Sequence, residues 1–171
     1  MKRLRVVARL AVIAFLLGFV PVTVAHYMEY TGDISGTGTE AEVVIDHNDQ
    51  DPWKGWADIT VTNTGDEDWG DFHVLVSYGA GVFIEDSAPN QPSTDITGAT
   101  WTMDGTTKVD FEFYGNPVNP GESANFQVYT NNTTNQNNWF GLTIYPTPVP
   151  EPTTIALLGF GAASLVMRRK K

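Results

Sequence analysis

Between residues 26 and 145, apolar side chains recur at every second position in short runs, and turn residues separate the runs. This alternation is typical of strands that bury one face, and it differs from the 3.6-residue period of amphipathic helices. The clear candidate strands are residues 41–47, 56–63, 72–78, 107–114, 123–130 and 139–145, and weaker ones are 82–85 and 99–103. The pattern predicts an all-β domain, a single antiparallel β-sandwich of about seven to nine strands.

The alternation also predicts which side chains lie between the two sheets. Because successive side chains of a strand point to opposite faces, one apolar face collects the core residues. The predicted core contains Ile59, Val61, Phe111, Phe113, Phe126 and Val128. The chain contains no cysteine, so neither a disulfide nor a cysteine–zinc site reinforces this core.

The N-terminal segment, residues 1–25, has the organisation of a secretion signal. Four basic residues lie among the first nine, an apolar run covers residues 10–20, and Pro21 follows. The apolar run is shorter than the ~20 residues that a membrane span needs. Small side chains at Thr23 and Ala25 predict cleavage after Ala25, which would make His26 the first residue of the mature protein. The expected partners are the secretion translocon and signal peptidase; the alternative is an uncleaved anchor, and both export the domain.

The C-terminal segment has three parts in a fixed order. Residues 146–152 form a proline-rich linker that includes Val149, Pro150, Glu151 and Pro152, and its alternating prolines are expected to keep it out of sheet and helix. Residues 153–167 are apolar and predict a short transmembrane helix. The basic tail consists of Arg168, Arg169, Lys170 and Lys171, and positive charges at this position predict a cytoplasmic end.

This Pro-Glu-Pro motif, followed by a Gly- and Ala-rich apolar segment and a basic end, closely resembles the PEP-CTERM sorting signal of exported bacterial proteins. The resemblance implies that an exosortase, a membrane transpeptidase, cleaves near the motif and transfers the domain to the cell surface or extracellular matrix. It also implies a bacterium that makes exopolysaccharide. An ordinary tail anchor is the alternative that the hydropathy permits.

A second resemblance concerns the domain itself. Residues 57–76, ADITVTNTGDEDWGDFHVLV, and the later turn Asn119-Pro120-Gly121-Glu122 resemble immunoglobulin-like bacterial surface modules. In such modules an Asn-Thr-Gly turn joins two strands of a hairpin, and an Asn-Pro-Gly turn precedes a later strand. The resemblance implies an immunoglobulin-like sandwich without the cysteine pair that often joins its sheets.

The charge distribution excludes one class of partner and raises the question of metals. Between the basic ends, only Lys54 and Lys108 oppose all twenty carboxylates of the chain, which predicts no binding to nucleic acid.

Residues 46–51 and residues 66–68 with Asp71 are acidic clusters that offer oxygen ligands for Ca²⁺. The first departs from an EF-hand loop, because Asp51 replaces the turn glycine and Ala57 the final glutamate. We interpret both as solvated loops, with calcium as the alternative, and predict no cofactor.

Histidines and aromatic residues supply two further hypotheses. An N-terminal His26 with His47 or His73 would permit copper-dependent oxidation of polysaccharide. Large aromatic residues either cap the ends of the sandwich or form a platform for sugars. Those near turns or strand ends are Trp53, Trp56, Trp69, Trp101 and Trp139, and parity predicts that Trp56, Trp139, Tyr129 and Tyr145 face outward. The chain has neither a Gly-x-Ser-x-Gly turn nor a His-Glu-x-x-His motif, so we predict no catalytic residues.

These observations predict an exported cell-surface or matrix protein with a structural or adhesive, non-enzymatic role. A module that binds exopolysaccharide is the alternative for the domain, and copper-dependent oxidation is a third hypothesis.

Overall fold

A computed structural model describes residues 26–48, 54–133 and 139–150. These residues form ten strands and one short 3-10 turn, Gly38–Ala41. The strands are β1 (His26–Ile34), β2 (Val43–Asn48), β3 (Lys54–Asn63), β4 (Trp69–Tyr78), β5 (Phe83–Glu85), β6 (Ser93–Thr94), β7 (Thr100–Asp104), β8 (Lys108–Glu112), β9 (Ser123–Asn131) and β10 (Trp139–Pro148). The prediction of an all-β domain is therefore confirmed.

The strands form two sheets of five strands each. Sheet A has the order β1-β3-β9-β5, with β6 also paired to β9, and sheet B has the order β2-β10-β4-β8-β7. One pair corrects the expectation of a purely antiparallel sandwich, since β1 runs parallel to β3. The chain leaves sheet A after β1, forms β2 in sheet B and returns as β3, and such a crossover makes the two neighbours parallel.

All eight segments predicted from the alternation overlap strands, whereas β1 and β6 were not predicted. Strand β1 does alternate, but Gly32 interrupts its inward-facing apolar series. The ring of Tyr30 lies where a side chain at Gly32 would project. Strand β6 has two residues, which is too short to display a period.

The expectation that prolines keep residues 146–152 out of the sheet is wrong for the first three of them. Strand β10 continues to Pro148, and Pro146 is buried opposite Phe72 of β4. Pairing between β10 and β2 ends at Ile144, so beyond that residue β10 pairs with a strand on one side only, and the 3-10 turn Gly38–Ala41 lies close to β10. Because backbone groups alternate between the two sides of a strand and the Val149 amide points to β4, the nitrogens of Pro146 and Pro148 face the side without a paired strand, and no ladder hydrogen bond is lost.

The core joins the sheets through stacked phenylalanines. Phe72 of sheet B and Phe126 of sheet A lie parallel, with ring centroids 4.0 Å apart and planes 4° apart. Phe111 and Phe113 contact the same ring of Phe126, with centroids at 5.1 and 6.0 Å. All six core residues predicted from the alternation are buried, so the predicted inward face is confirmed.

A buried asparagine connects two turns at one end of the sandwich. The Asn63 side-chain amide donates to the carbonyl oxygens of Glu67, at 2.8 Å, and Val118, at 3.0 Å. Its Oδ1 accepts from the Gly65 amide at 3.1 Å, and its backbone carbonyl accepts from the Gly121 amide at 2.7 Å. Asn63 therefore fixes both of the turns that the sequence analysis singled out.

None of the helices within these described ranges is long and apolar enough to cross a bilayer. The predicted signal, residues 1–25, and the predicted transmembrane segment, residues 153–167, lie outside the ranges that the structure describes.

The position of Phe126 leads to a stability prediction. Phe126→Ala removes the ring that contacts Phe72 and Phe111 of sheet B and also Phe113, which follows β8. We expect it to lower the free energy of unfolding by about 3 to 5 kcal/mol. Val44→Ala is the control, because Val44 lies on β2 with 52% of its surface exposed, and it should change the free energy by less than about 0.5 kcal/mol. Urea unfolding of residues 26–150 measures both; equal effects would contradict the assigned core.

Candidate functional site

The sorting motif begins where the folded domain ends. The Val149 amide donates to the Asp68 carbonyl oxygen at 2.9 Å, which extends the pairing of β10 with β4 by one bond. Pro150 is exposed and is the last residue in the described part of the chain; Glu151, Pro152 and the basic residues Arg168, Arg169, Lys170 and Lys171 lie beyond it.

An aromatic row crosses the outer face of sheet A. The strand register places Tyr27 of β1 beside Trp56 of β3, and Trp56 beside Tyr129 of β9. Trp56 and Tyr129 meet edge to face, with centroids 5.3 Å apart and planes at 81°. Tyr27 has 45% of its surface exposed. We call these three side chains the aromatic row.

A polar network lies beside the aromatic row on the same face. The Asp58 carboxylate accepts hydrogen bonds from the Tyr27 hydroxyl at 2.8 Å, from Gln127 Nε2 at 3.0 Å and from Asn125 Nδ2. Burial raises the pKa of Asp58, but the bonds from Asn125, Tyr27 and Gln127 lower it by more, so the pKa lies below its usual value. The carboxylate is therefore ionised at neutral pH and held in one orientation.

A titratable cluster occupies the outer face of sheet B. His73 Nδ1 is hydrogen-bonded to Asp110 Oδ1, which Lys108 Nζ also contacts at 3.0 Å. The imidazole packs on the ring of Tyr145, with centroids 4.5 Å apart. On its other side, His73 Nε2 lies 3.8 Å from Asp71 Oδ1, a buried oxygen with no hydrogen-bond donor among the described residues.

The two aspartates of this cluster have opposite pKa shifts. Burial raises the pKa of Asp71 above its usual value, against the opposing charge of His73. Burial also acts to raise the pKa of Asp110, but the hydrogen bonds from His73 and Lys108 outweigh it, and the net pKa is lowered. Asp110 is thus stabilised as a carboxylate, whereas Asp71 is not.

The histidines considered for copper lie apart in the structure. His26 begins β1 in sheet A. The ring of His47 lies 5.4 Å from the buried Phe140, whereas His73 lies on the opposite, outer face of the same sheet B. Within residues 26–48, 54–133 and 139–150, no three His, Asp or Glu side chains are grouped so as to hold a metal ion.

Some carboxylates of the predicted acidic clusters accept hydrogen bonds from other side chains of the domain. The Glu67 carboxylate accepts a hydrogen bond from the Thr37 hydroxyl at 2.7 Å. Asp71 lies in β4 beside His73, away from residues 66–68. Asp46 accepts a hydrogen bond from the Tyr78 hydroxyl, and residues 49–51 of the first cluster lie outside the described ranges.

The aromatic candidates divide between core and surface. Trp69 is fully buried, and Trp101 packs against the core; Trp56, Tyr129, Tyr145 and Trp139 lie on outer faces, and Trp53 is not among the described residues. Trp139, 48% exposed, donates from Nε1 to the Tyr78 hydroxyl at 2.7 Å. Tyr27 was not among the predicted aromatic candidates, although Met28 and Tyr30 on the inward face of β1 place it outward.

Comparison with known proteins identifies the C-terminal segment. Residues 148–171 match the family model of the PEP-CTERM protein-sorting motif. No curated protein and no solved structure matches the chain. The chain therefore carries a PEP-CTERM motif, which supports an exported, membrane-anchored precursor that an exosortase processes.

The opposite pKa shifts of Asp110 and Asp71 predict opposite mutant effects. Asp110→Asn should lower the free energy of unfolding at pH 7 by about 1 to 2 kcal/mol, because His73 and Lys108 lose a charged acceptor. Since the folded-state pKa of Asp110 lies below the unfolded value of about 4, its contribution is present above that value and is lost as the pH falls through the folded-state pKa.

Asp71→Asn is the matched variant. Because the folded-state pKa of Asp71 is raised, its favourable contribution exists at acidic pH and is lost as the pH rises through that pKa, so the ionised group destabilises the fold at pH 7. We expect Asp71→Asn to leave stability unchanged or increase it at pH 7. Urea unfolding between about pH 3 and pH 8 measures both variants, and an equal loss in the two at pH 7 would contradict the assigned roles.

Proposed function

We propose that this protein is a cell-surface or extracellular-matrix protein that an exosortase releases from its membrane-bound precursor. The observation that carries the proposal is the match of residues 148–171 to the sorting motif, which follows directly on the last strand of a folded domain. On this proposal the apolar segment holds the precursor in the membrane with its basic end inside, and the domain lies outside.

All of the described strands lie after the proposed cleavage site. Strand β1 begins at His26, so cleavage between Ala25 and His26 would leave every described strand in the mature protein. The translocon and signal peptidase are the partners that this route requires.

For the domain we propose an immunoglobulin-like module with a structural or adhesive, non-enzymatic role. Two mostly antiparallel sheets packed over an aromatic core support this assignment. So does Asn63, which links the Asn-Thr-Gly turn to the Asn-Pro-Gly turn.

Carbohydrate binding is a second candidate function for this domain. The aromatic row and the polar network of Asp58 favour it, because sugars are bound by aromatic faces together with carboxylate and amide groups. Copper-dependent oxidation through His26 stays a separate prediction, and copper titration of the mature protein, with and without one extra residue before His26, tests it.

The proposed processing leads to a prediction for the sorting motif. Glu151→Ala changes neither the apolar segment nor the basic end, so a simple tail anchor would tolerate it. If an exosortase reads the motif, the membrane-bound precursor should accumulate and the matrix-associated form should decrease at least fivefold. Fractionation and immunoblotting, in a host that has the exosortase, measure both forms.

Two controls complete this experiment. Glu40→Ala changes an exposed glutamate of the 3-10 turn and should leave processing unchanged. A chain that ends after Val149 keeps all of β10 and its last hydrogen bond to Asp68, and it should be released as soluble protein. We do not end the chain after Tyr145, because that truncation would remove the buried Pro146 from the folded domain. Normal processing of the Glu151→Ala protein would overturn the proposed sorting.

A further inference from the structure

We propose that the outer face of sheet A binds an uncharged polysaccharide, which lies across the strands along the aromatic row. The inference deepens the proposed function and rests on it in one respect, namely that export brings the domain among surface or matrix polysaccharides. Three features of the face carry it: the register of the aromatic row, the hydrogen-bonding groups beside the row, and the sign of the charge.

The register of the aromatic row suits a repeating ligand. Tyr27, Trp56 and Tyr129 stand in register on three adjacent strands. Neighbouring strands lie about 4.8 Å apart, so the row is about 10 Å long, the scale of a short oligosaccharide. The C–H faces of sugar rings pack on aromatic rings. The row therefore offers aromatic surface on three adjacent strands of an outer face, which a chain can occupy without a deep pocket.

The contacts within the row hold the rings in place before a ligand arrives. Trp56 and Tyr129 support each other edge to face, and the Tyr27 hydroxyl is fixed by its bond to Asp58. Side chains that are already ordered lose little conformational entropy on binding, which favours affinity.

The polar network offers donors and acceptors for sugar hydroxyls. Asn125 Nδ2 donates to Asp58 and, at 3.0 Å, to Thr60 Oγ1, while no described residue donates to Asn125 Oδ1. Gln127 is fixed in the same way between Asp58 and the Ser93 hydroxyl, which donates to Gln127 Oε1 at 3.2 Å. Amide and carboxylate groups of fixed orientation thus flank the row on one side.

The charge of the face selects an uncharged chain. Glu29, Asp33 and Asp58 project from the same side of sheet A. The one lysine on this face within the described ranges, Lys54, forms an ion pair with Glu85 at 3.1 Å. An acidic polysaccharide would therefore meet net negative charge and be repelled.

Sheet B supplies a matched control surface. Its exposed aromatic pair, Tyr78 and Trp139, is bonded to Asp46, and the Tyr78 ring covers Gly141, where a Cβ would collide with it. This pair shields backbone at one position and does not continue across three strands in register.

Affinity electrophoresis tests the proposal with the full chain. The chain is purified in nonionic detergent from a host without an exosortase, so the result does not depend on processing. Native gels contain either a soluble neutral polysaccharide, with a glucan, a mannan and a galactan as separate probes, or the acidic polysaccharide alginate. We expect saturable retardation by at least one neutral probe and none by alginate.

Variants then locate the binding surface. Trp56→Ala and Tyr27→Ala should each weaken retardation at least tenfold, whereas Trp139→Ala should change it less than twofold. Tyr27 is half exposed on the edge strand β1, so its variant keeps the test decisive if Trp56→Ala fails to fold. No retardation by any neutral probe, retardation by alginate alone, or equal losses in Tyr27→Ala and Trp139→Ala would overturn the inference and leave the proposed sorting untouched.

Discussion

The parallel contact between Phe72 and Phe126 is the interaction on which the rest of the sandwich depends. The two rings belong to opposite sheets, and Phe111 and Phe113 surround the ring of Phe126. With no cysteine in the chain, burial of apolar surface and close packing hold the sheets together. The outer faces are positioned by this core, since each inward phenylalanine fixes which of its neighbours point outward.

The alternation of side chains explains both what the sequence predicted well and where it failed. Ile59, Phe111 and Val128 were assigned to the core correctly, because parity along a strand is a local property. The parallel pairing of β1 with β3 is not local: it depends on where the chain returns after β2. The prediction that Pro146 lies outside the sheet was wrong for the same reason. A proline is tolerated where its nitrogen faces a side without a paired strand, and only the order of the strands shows which side that is.

The candidate sites differ in the same way. The Pro-Glu-Pro motif is a continuous segment and could be recognised from the sequence alone. The aromatic row could not, because Tyr27, Trp56 and Tyr129 are far apart in the chain and meet through the register of three strands. The cluster of Asp71, His73 and Asp110 likewise requires the pairing of β4 with β8. Spacing in the sequence carries little information about either surface.

The position of β10 in sheet B has a consequence for the order of events during export. Strand β2 pairs only with β10 among the described strands, and β10 also separates β2 from β4. A chain that is exported N-terminus first presents β2 long before its partner β10. Sheet B therefore closes only after residues 139–148 have emerged, and the sorting motif follows at once. The fold is therefore completed at nearly the same time as the sorting motif reaches the membrane.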